Sequence, residues 1–273
     1  MADYEDVVNT VVQIVRRAET RLDDDVVQAL RAAYQKEDNE IAKTNLENIL
    51  KNIEVSQHNQ VPMCQDTGLM VFFVELGRDF QLDFDLYKAI RGGVVRATQE
   101  VPIRPNSVHP LSRENSGDNT GMHMPYINVE MVESDNLKLT VMPKGAGGEN
   151  LSVYKMFLPG EADQIPHFVA QVVENAGGKS CPPLFIGVGV GSTFDGAAKL
   201  SKKSLLRDVT RMNDYEKEIM EKVNKLGIGP MGMGGKTTAL AVLVEMGHCH
   251  TASLPVAVNL QCWANRRASA TLR

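Results

Sequence analysis

The chain has 273 residues, 43% hydrophobic and 23% charged, which suits one large or two modest globular domains with a substantial core. A formal net charge of −5 gives no electrostatic case for nucleic acid or an anionic membrane surface. No apolar run approaches the roughly 20 residues that span a bilayer. The acidic start Met1-Ala2-Asp3-Tyr4-Glu5-Asp6 lacks the basic and apolar parts of a signal peptide, so a cytoplasmic protein is expected.

Residues 3 to 57 read as helical. Val7, Val8, Val11, Val12 and Val15 mark one apolar face, and Asp23 to Asp25 offer an N-cap for a second helix through Tyr34. Ile41, Leu46, Ile49, Leu50 and Ile53 mark a third. This section, residues 1–60, carries no identifiable chemistry, and its apolar faces are expected to be open for packing against a second copy.

From Pro62 the pattern becomes strands with helices between them, giving an expected α/β (mixed α+β) domain over residues 61–273. Leu69 to Leu76 is the first strand, and Phe84 to Glu100 a helix loosened at Gly92-Gly93. Tyr126 to Val132 and Leu137 to Met142 are strands joined by the turn Ser134-Asp135-Asn136. Glu161 to Asn175 reads as a helix despite Pro166, ending at Gly177-Gly178. Leu184 to Val190 is a short buried strand, and Asn213 to Leu226 a charged amphipathic helix. Ala241 to Met246 and Val256 to Leu260 close the series.

Several loops between these elements are too polar to be simple connectors. Val61-Pro62-Met63-Cys64-Gln65-Asp66-Thr67-Gly68 is a tight loop entering the first strand, a place where a fixed scaffold presents reactive groups. A thiolate there is a soft metal ligand and the adjacent carboxylate can move protons; a buried structural cysteine is the other reading. Arg104 leads through His109 into Ser112 to Thr120, a long loop of the kind that is commonly functional. Lys144-Gly145-Ala146-Gly147-Gly148 can turn backbone N–H groups onto an oxyanion beside a lysine, or be a plain strand-to-helix turn.

Other motifs resolve against their first appearance. Gly232 to Thr238 suggests a phosphate loop, but the glycine before Gly235-Lys236-Thr237 is Gly229, out of register, and a helix precedes it. Gly187-Val188-Gly189-Val190-Gly191 lacks the third glycine of a dinucleotide fingerprint, so its glycines are read as sites of close backbone approach. His248-Cys249-His250 could be imagined as a zinc site, yet in an extended segment Cys249 opposes both histidines. The cysteines Cys64, Cys181, Cys249 and Cys262 form no Cys-x-x-Cys pair, and in a reducing compartment no disulfide is expected.

Taken in order, Cys64-Gln65-Asp66-Thr67-Gly68, Gly117-Asp118-Asn119-Thr120, Lys144 to Gly148, Gly232 to Thr238, His250-Thr251-Ala252-Ser253-Leu254-Pro255 and Cys262 to Arg267 cover nearly the whole chain. The set resembles the alpha part of the oxygen-sensitive iron–sulfur hydro-lyases, the class I fumarases and L-tartrate dehydratases. The resemblance implies a [4Fe–4S] cluster held by Cys64, Cys181 and Cys262, with one iron open, while Cys249 has no counterpart. It further implies Asp66 in proton transfer, and Gln65, Arg104, Gly147 and His250 as substrate-binding residues. Lys144 adds positive potential on electrostatic grounds alone.

Single-chain members of that family continue into a beta domain. The chain is therefore expected to be the alpha subunit of a two-subunit enzyme, interconverting fumarate and malate with a beta partner, in an assembly that pairs alpha with alpha. L-tartrate as substrate, or a non-catalytic iron–sulfur or zinc protein that senses redox state, are the alternatives; Gln65, Asp66 and Arg104 argue against a sensor, which needs no carboxylate-binding shell.

Overall fold

The structure, a computed structural model, describes residues 2–273. Helices come first and mixed sheets follow, as the sequence predicts: α1 (Tyr4–Thr20), α2 (Asp24–Lys36), α3 (Glu40–Asn59), β1 (Leu69–Gly77), α4 (Leu86–Glu100), β2 (Tyr126–Val132) and β3 (Leu137–Lys144). Then come the short α5 (Ala146–Glu149), β4 (Val153–Phe157), α6 (Ile165–Ala176), β5 (Leu184–Gly191), α7 (Phe194–Ser204), α8 (Asp214–Asn224), β6 (Ala239–Gly247), β7 (Leu254–Gln261) and β8 (Ala268–Leu272). Among the described residues no helix is long and apolar enough to cross a membrane. The chain divides into two compact units: residues up to Asp23 with Ile53–Gly145 and Arg266–Arg273, and Asp24–Asn52 with Ala146–Asn265. The N-terminal helices are thus divided, α1 falling in the first unit and α2 in the second.

In the first unit, α1 starts at a reciprocal cap: the Asp3 carboxylate accepts the Asp6 N–H and the Asp6 carboxylate accepts the Asp3 N–H, both at 2.9 Å. Val7, Val11, Val15 and Ala18 then share one face, because residues three and four apart stack on a helix. They bury against Ala89, Ile90, Val94 and Ala97 of α4 and against alternate residues of the sheet: Met70, Phe72 and Val74 on β1, Leu137, Leu139 and Val141 on β3. Each Val, Leu, Ile, Phe or Met among them contributes about 1.5–3 kcal/mol on burial. The strand order is β2-β1-β3-β8, with β1 parallel to β2 (Phe72 beside Ile127) and antiparallel to β3 (Phe72 beside Val141).

The expected loosening of α4 at Gly92-Gly93 does not occur. A Cβ on Gly93 would sit 2.5 Å from that of Val11, so the glycine lets two helices close on each other. Of the apolar faces expected to be open to a second copy, that of α1 is buried, as are Val26, Leu30 and Ala33 of α2 and Ala42, Leu46, Ile49 and Ile53 of α3, while Ile41 is 60% exposed and Leu50 half-buried.

In the second unit the order is β4-β7-β5-β6, with β5 parallel to β6 and antiparallel to β7. Leu184, Ile186 and Val188 of β5 pack with residues of α6 and α8. Gly187 and Gly189 point the other way, and there any Cβ would collide with the carbonyl oxygens of Ser201 and Ala197 in α7. Four helical residues, Ala197 to Ser201, advance about 6 Å and two strand residues about 7 Å, so the glycines recur in step with the helix backbone. Pro166 stands in the first turn of α6, where its missing N–H is not needed.

Candidate functional site

The turn Cys64–Gly68 sits directly before β1 and is held from several sides. Gly68 has φ +71°, and a Cβ on it would lie 2.7–2.8 Å from the backbone of Lys144, so the turn rests on the end of β3. Oδ1 of Asp66 accepts the Gly68 N–H at 3.0 Å, closing a short side-chain turn. Its Oδ2 faces Gly145, where a Cβ would come within 2.9 Å. Cys64 and Asp66 are half-buried and Gln65 is exposed, while Lys144 at the strand end is 3% exposed.

Thr67 ties this turn to the next loop. Its Oγ1 accepts the Arg104 N–H at 3.0 Å and the Asn106 amide at 3.2 Å, and the same Asn106 nitrogen donates to the Gly68 carbonyl at 3.1 Å. Asn119, 1% exposed, completes the frame by donating to the Arg104 carbonyl at 3.0 Å and accepting the Asn106 N–H at 2.6 Å. The Arg104 main chain is therefore fixed on both sides while the residue stays exposed. Asp118 shapes the loop: burial pushes its carboxyl up, but bonds from the Thr120 hydroxyl and N–H, with the nearby Arg91 charge, hold it below the usual range.

Beneath the turn, Arg266 joins Glu19 at 2.7 Å through Nη1 and donates to the Asp66 carbonyl at 2.9 Å through Nη2. Burial pushes the Glu19 carboxyl up to about 7; Arg266 opposes this, and the charge of Asp66 adds to it. Glu19 is not singled out by the sequence, and Arg266 only as a member of the Cys262–Arg267 motif. Thr67 and Asn119 were visible only as members of motifs.

In the second unit, Cys181 closes the short 3₁₀ turn Gly177–Ser180 with φ +54° and donates its N–H to Gly178 at 3.1 Å. Its carbonyl accepts the Trp263 N–H at 3.3 Å, which sets the main chain following Cys262 beside it. Both thiols are half-buried, Cys249 is exposed, and none of the four cysteines forms a disulfide. His250 is exposed, with Nδ1 accepting the Ala252 N–H at 3.1 Å, which turns Nε2 outward. Gly147 is exposed on α5. Among the described residues no group of three or more His, Cys, Asp or Glu is set to hold a single metal ion.

The glycine-rich turn before β6 already contains an anion from its own unit. Glu37 accepts the Lys236 N–H at 2.9 Å, and Lys236 Nζ meets Asp38 at 2.6 Å. This agrees with rejecting a phosphate loop there.

A family model described as fumarate hydratase (Fumerase) matches residues 8–271. A Methanocaldococcus jannaschii protein, named provisionally as an L(+)-tartrate dehydratase subunit alpha, is 46% identical over 95% of this chain and 95% of its own length. A Geobacillus stearothermophilus protein, named provisionally as a class I fumarate hydratase, is 35% identical over 94% of this chain and 53% of its own. The L(+)-tartrate dehydratase subunit alpha of Escherichia coli (strain K12) is 30% identical over 96% of this chain and 90% of its own. The chain belongs to the fumarate hydratase (Fumerase) family.

Proposed function

We propose that this chain is the alpha subunit of a hydro-lyase that interconverts fumarate and malate together with a beta subunit. The observation that carries this reading is the pinned Cys64–Gly68 turn, in which the Asp66 carboxylate and the backbone of Arg104 belong to one hydrogen-bonded frame. Arg104 pairs a substrate carboxylate, and the amide of Gln65 and the outward Nε2 of His250 hydrogen-bond substrate oxygens. The N–H of Gly147 completes the carboxylate contacts, and the buried charge of Lys144 favours the carbanionic charge that builds beside a carboxylate. Asp66 takes and returns the proton at that carbon.

Cys64, Cys181 and Cys262, whose thiols are half-buried where that of Cys249 is exposed, would be the donor set of a [4Fe–4S] cluster. When bound, such a cluster with one iron lacking a thiolate supplies a Lewis acid for the departing hydroxyl group. A beta partner is supported by the relatives named as alpha subunits that this chain covers nearly end to end. An alpha–alpha contact belongs to the same proposal, with the exposed Ile41 and Val55 of α3 as its apolar contribution from the N-terminal helices. A cytoplasmic location belongs to the same proposal, and four cysteines with no disulfide among them fit a reducing compartment.

L-tartrate is a second reading, favoured by the names of the same two relatives. Anaerobically reconstituted alpha and beta chains, assayed side by side on malate, fumarate and L-tartrate, decide. Faster turnover of malate supports the first reading and faster turnover of L-tartrate the second. A complex with iron bound that is inert on every dicarboxylate overturns both.

A further inference from the structure

Glu19 and Arg266 are 0% and 1% exposed. A buried ion pair is often replaceable by apolar residues of similar volume without loss of stability, so its presence calls for a reason other than stability. Here the pair holds two points of one turn. The Glu19 backbone carbonyl accepts the Met63 N–H at 3.1 Å. Its carboxylate takes one arm of Arg266 at 2.7 Å, and the other arm reaches the Asp66 carbonyl at 2.9 Å. The segment clamped between these points, Met63 to Asp66, contains Cys64 and Gln65. A planar guanidinium suits the task, since its fork can serve a carboxylate and a carbonyl together where a lysine offers a point charge.

We infer that Glu19 and Arg266 are positioning residues, which fix the Met63–Asp66 turn so that the Cys64 thiol and the Asp66 carboxylate keep one geometry. They touch no reacting atom. The part of this inference that concerns turnover rests on the hydro-lyase reading; the part that concerns the thiol does not.

The full chain is made with Arg266→Lys and, separately, with Glu19→Leu and Arg266→Met together, which removes both buried charges so that neither is stranded. Iodoacetamide labelling of each cysteine is followed by peptide mass in cluster-free chain. The expected result is a rise of about tenfold or more at Cys64, with Cys181, Cys249 and Cys262 within about twofold, because only one turn is loosened. In the cluster-loaded complex with beta, kcat for malate falls about 100-fold while KM stays within about threefold, as expected when a reacting group is misplaced rather than lost.

A folded double variant with the native Cys64 rate and native kcat overturns the inference, as does an equal rise at all four thiols, which marks general loosening. If the native complex turns over no dicarboxylate, the hydro-lyase reading fails and the Cys64 rate alone decides the positioning role. Should neither variant fold, hydrogen exchange in the native chain decides. A Met63 amide exchanging as slowly as those of β1 supports the clamp, and a fast one overturns it.

Discussion

The Cys64–Gly68 turn and the His248–Ala252 segment carry the same kinds of side chain, yet they are built differently. The first has Gly68 pressed on the Lys144 backbone, Asp66 bonded to Gly68, and Thr67 bonded to the Arg104 and Asn106 loop. The second follows β6, is exposed from His248 to Thr251, and is closed locally by His250 accepting from Ala252 and Ser253. Residue type therefore does not set how firmly a loop is held. Anchoring does, and a pinned loop has already lost on folding the conformational entropy that a side chain on a loose one, such as His250, would still lose on binding.

The sharpest test of that contrast is chemical. Cys64→Ser, Cys181→Ser and Cys262→Ser are each expected to lose bound iron and the visible cluster absorbance after anaerobic reconstitution, while Cys249→Ser keeps both. Loss in Cys249→Ser with retention in Cys181→Ser would break the assignment. Next in size, Asp66→Asn should lower kcat of the reconstituted complex about 1000-fold through loss of the proton-transfer group, with an unchanged melting temperature.

How much of this was legible depends on whether a feature is local. β1, β2, β3 and the end of α6 at Gly177 lie in neighbouring residues and read correctly, whereas Pro166, read inside a helix from Glu161, stands in the first turn of α6. β8 (Ala268–Leu272) is five small or polar-flanked residues whose strand state comes from pairing with β3, so no periodicity marks it. β4 and α7 went unread for similar reasons: one is a short edge strand, and the other is an alanine- and lysine-bearing helix with three buried residues. Glu19 lies in Arg16-Arg17-Ala18-Glu19-Thr20-Arg21, which reads as a solvated helix end; only the fold places Arg266 against it.

Two smaller effects refine the comparison. Gly68→Ala forces a side chain into a left-handed backbone conformation and onto Lys144, and should destabilise the chain by about 2–4 kcal/mol, read as a lower denaturation midpoint. His248→Ala, in the exposed segment, should change stability by less than about 0.5 kcal/mol.

The pH response of Glu19 gives a signed test. Its carboxyl is raised from 4.5 to about 7, so the folded chain holds a proton that the unfolded chain releases within that window. Its contribution to stability is present below about 4.5 and is lost as pH rises through about 7. Relative to Glu19→Gln, the native chain should therefore lose melting temperature across that range and level off above it. A constant difference would mean that Arg266 keeps Glu19 ionised throughout.

The bare face of β5 limits how this molecule can diverge. Where side chains meet, a lost methyl on one partner can be answered by a larger neighbour. Gly187 and Gly189 meet the carbonyl oxygens of Ser201 and Ala197, and a peptide group has no larger or smaller version to offer in reply. Strand and helix are thus locked as a pair through any drift in sequence. A saturation library should tolerate exchange among Val, Ile and Leu at Val188 while rejecting every substitution at the glycines on either side, with no second-site change in α7 able to restore them.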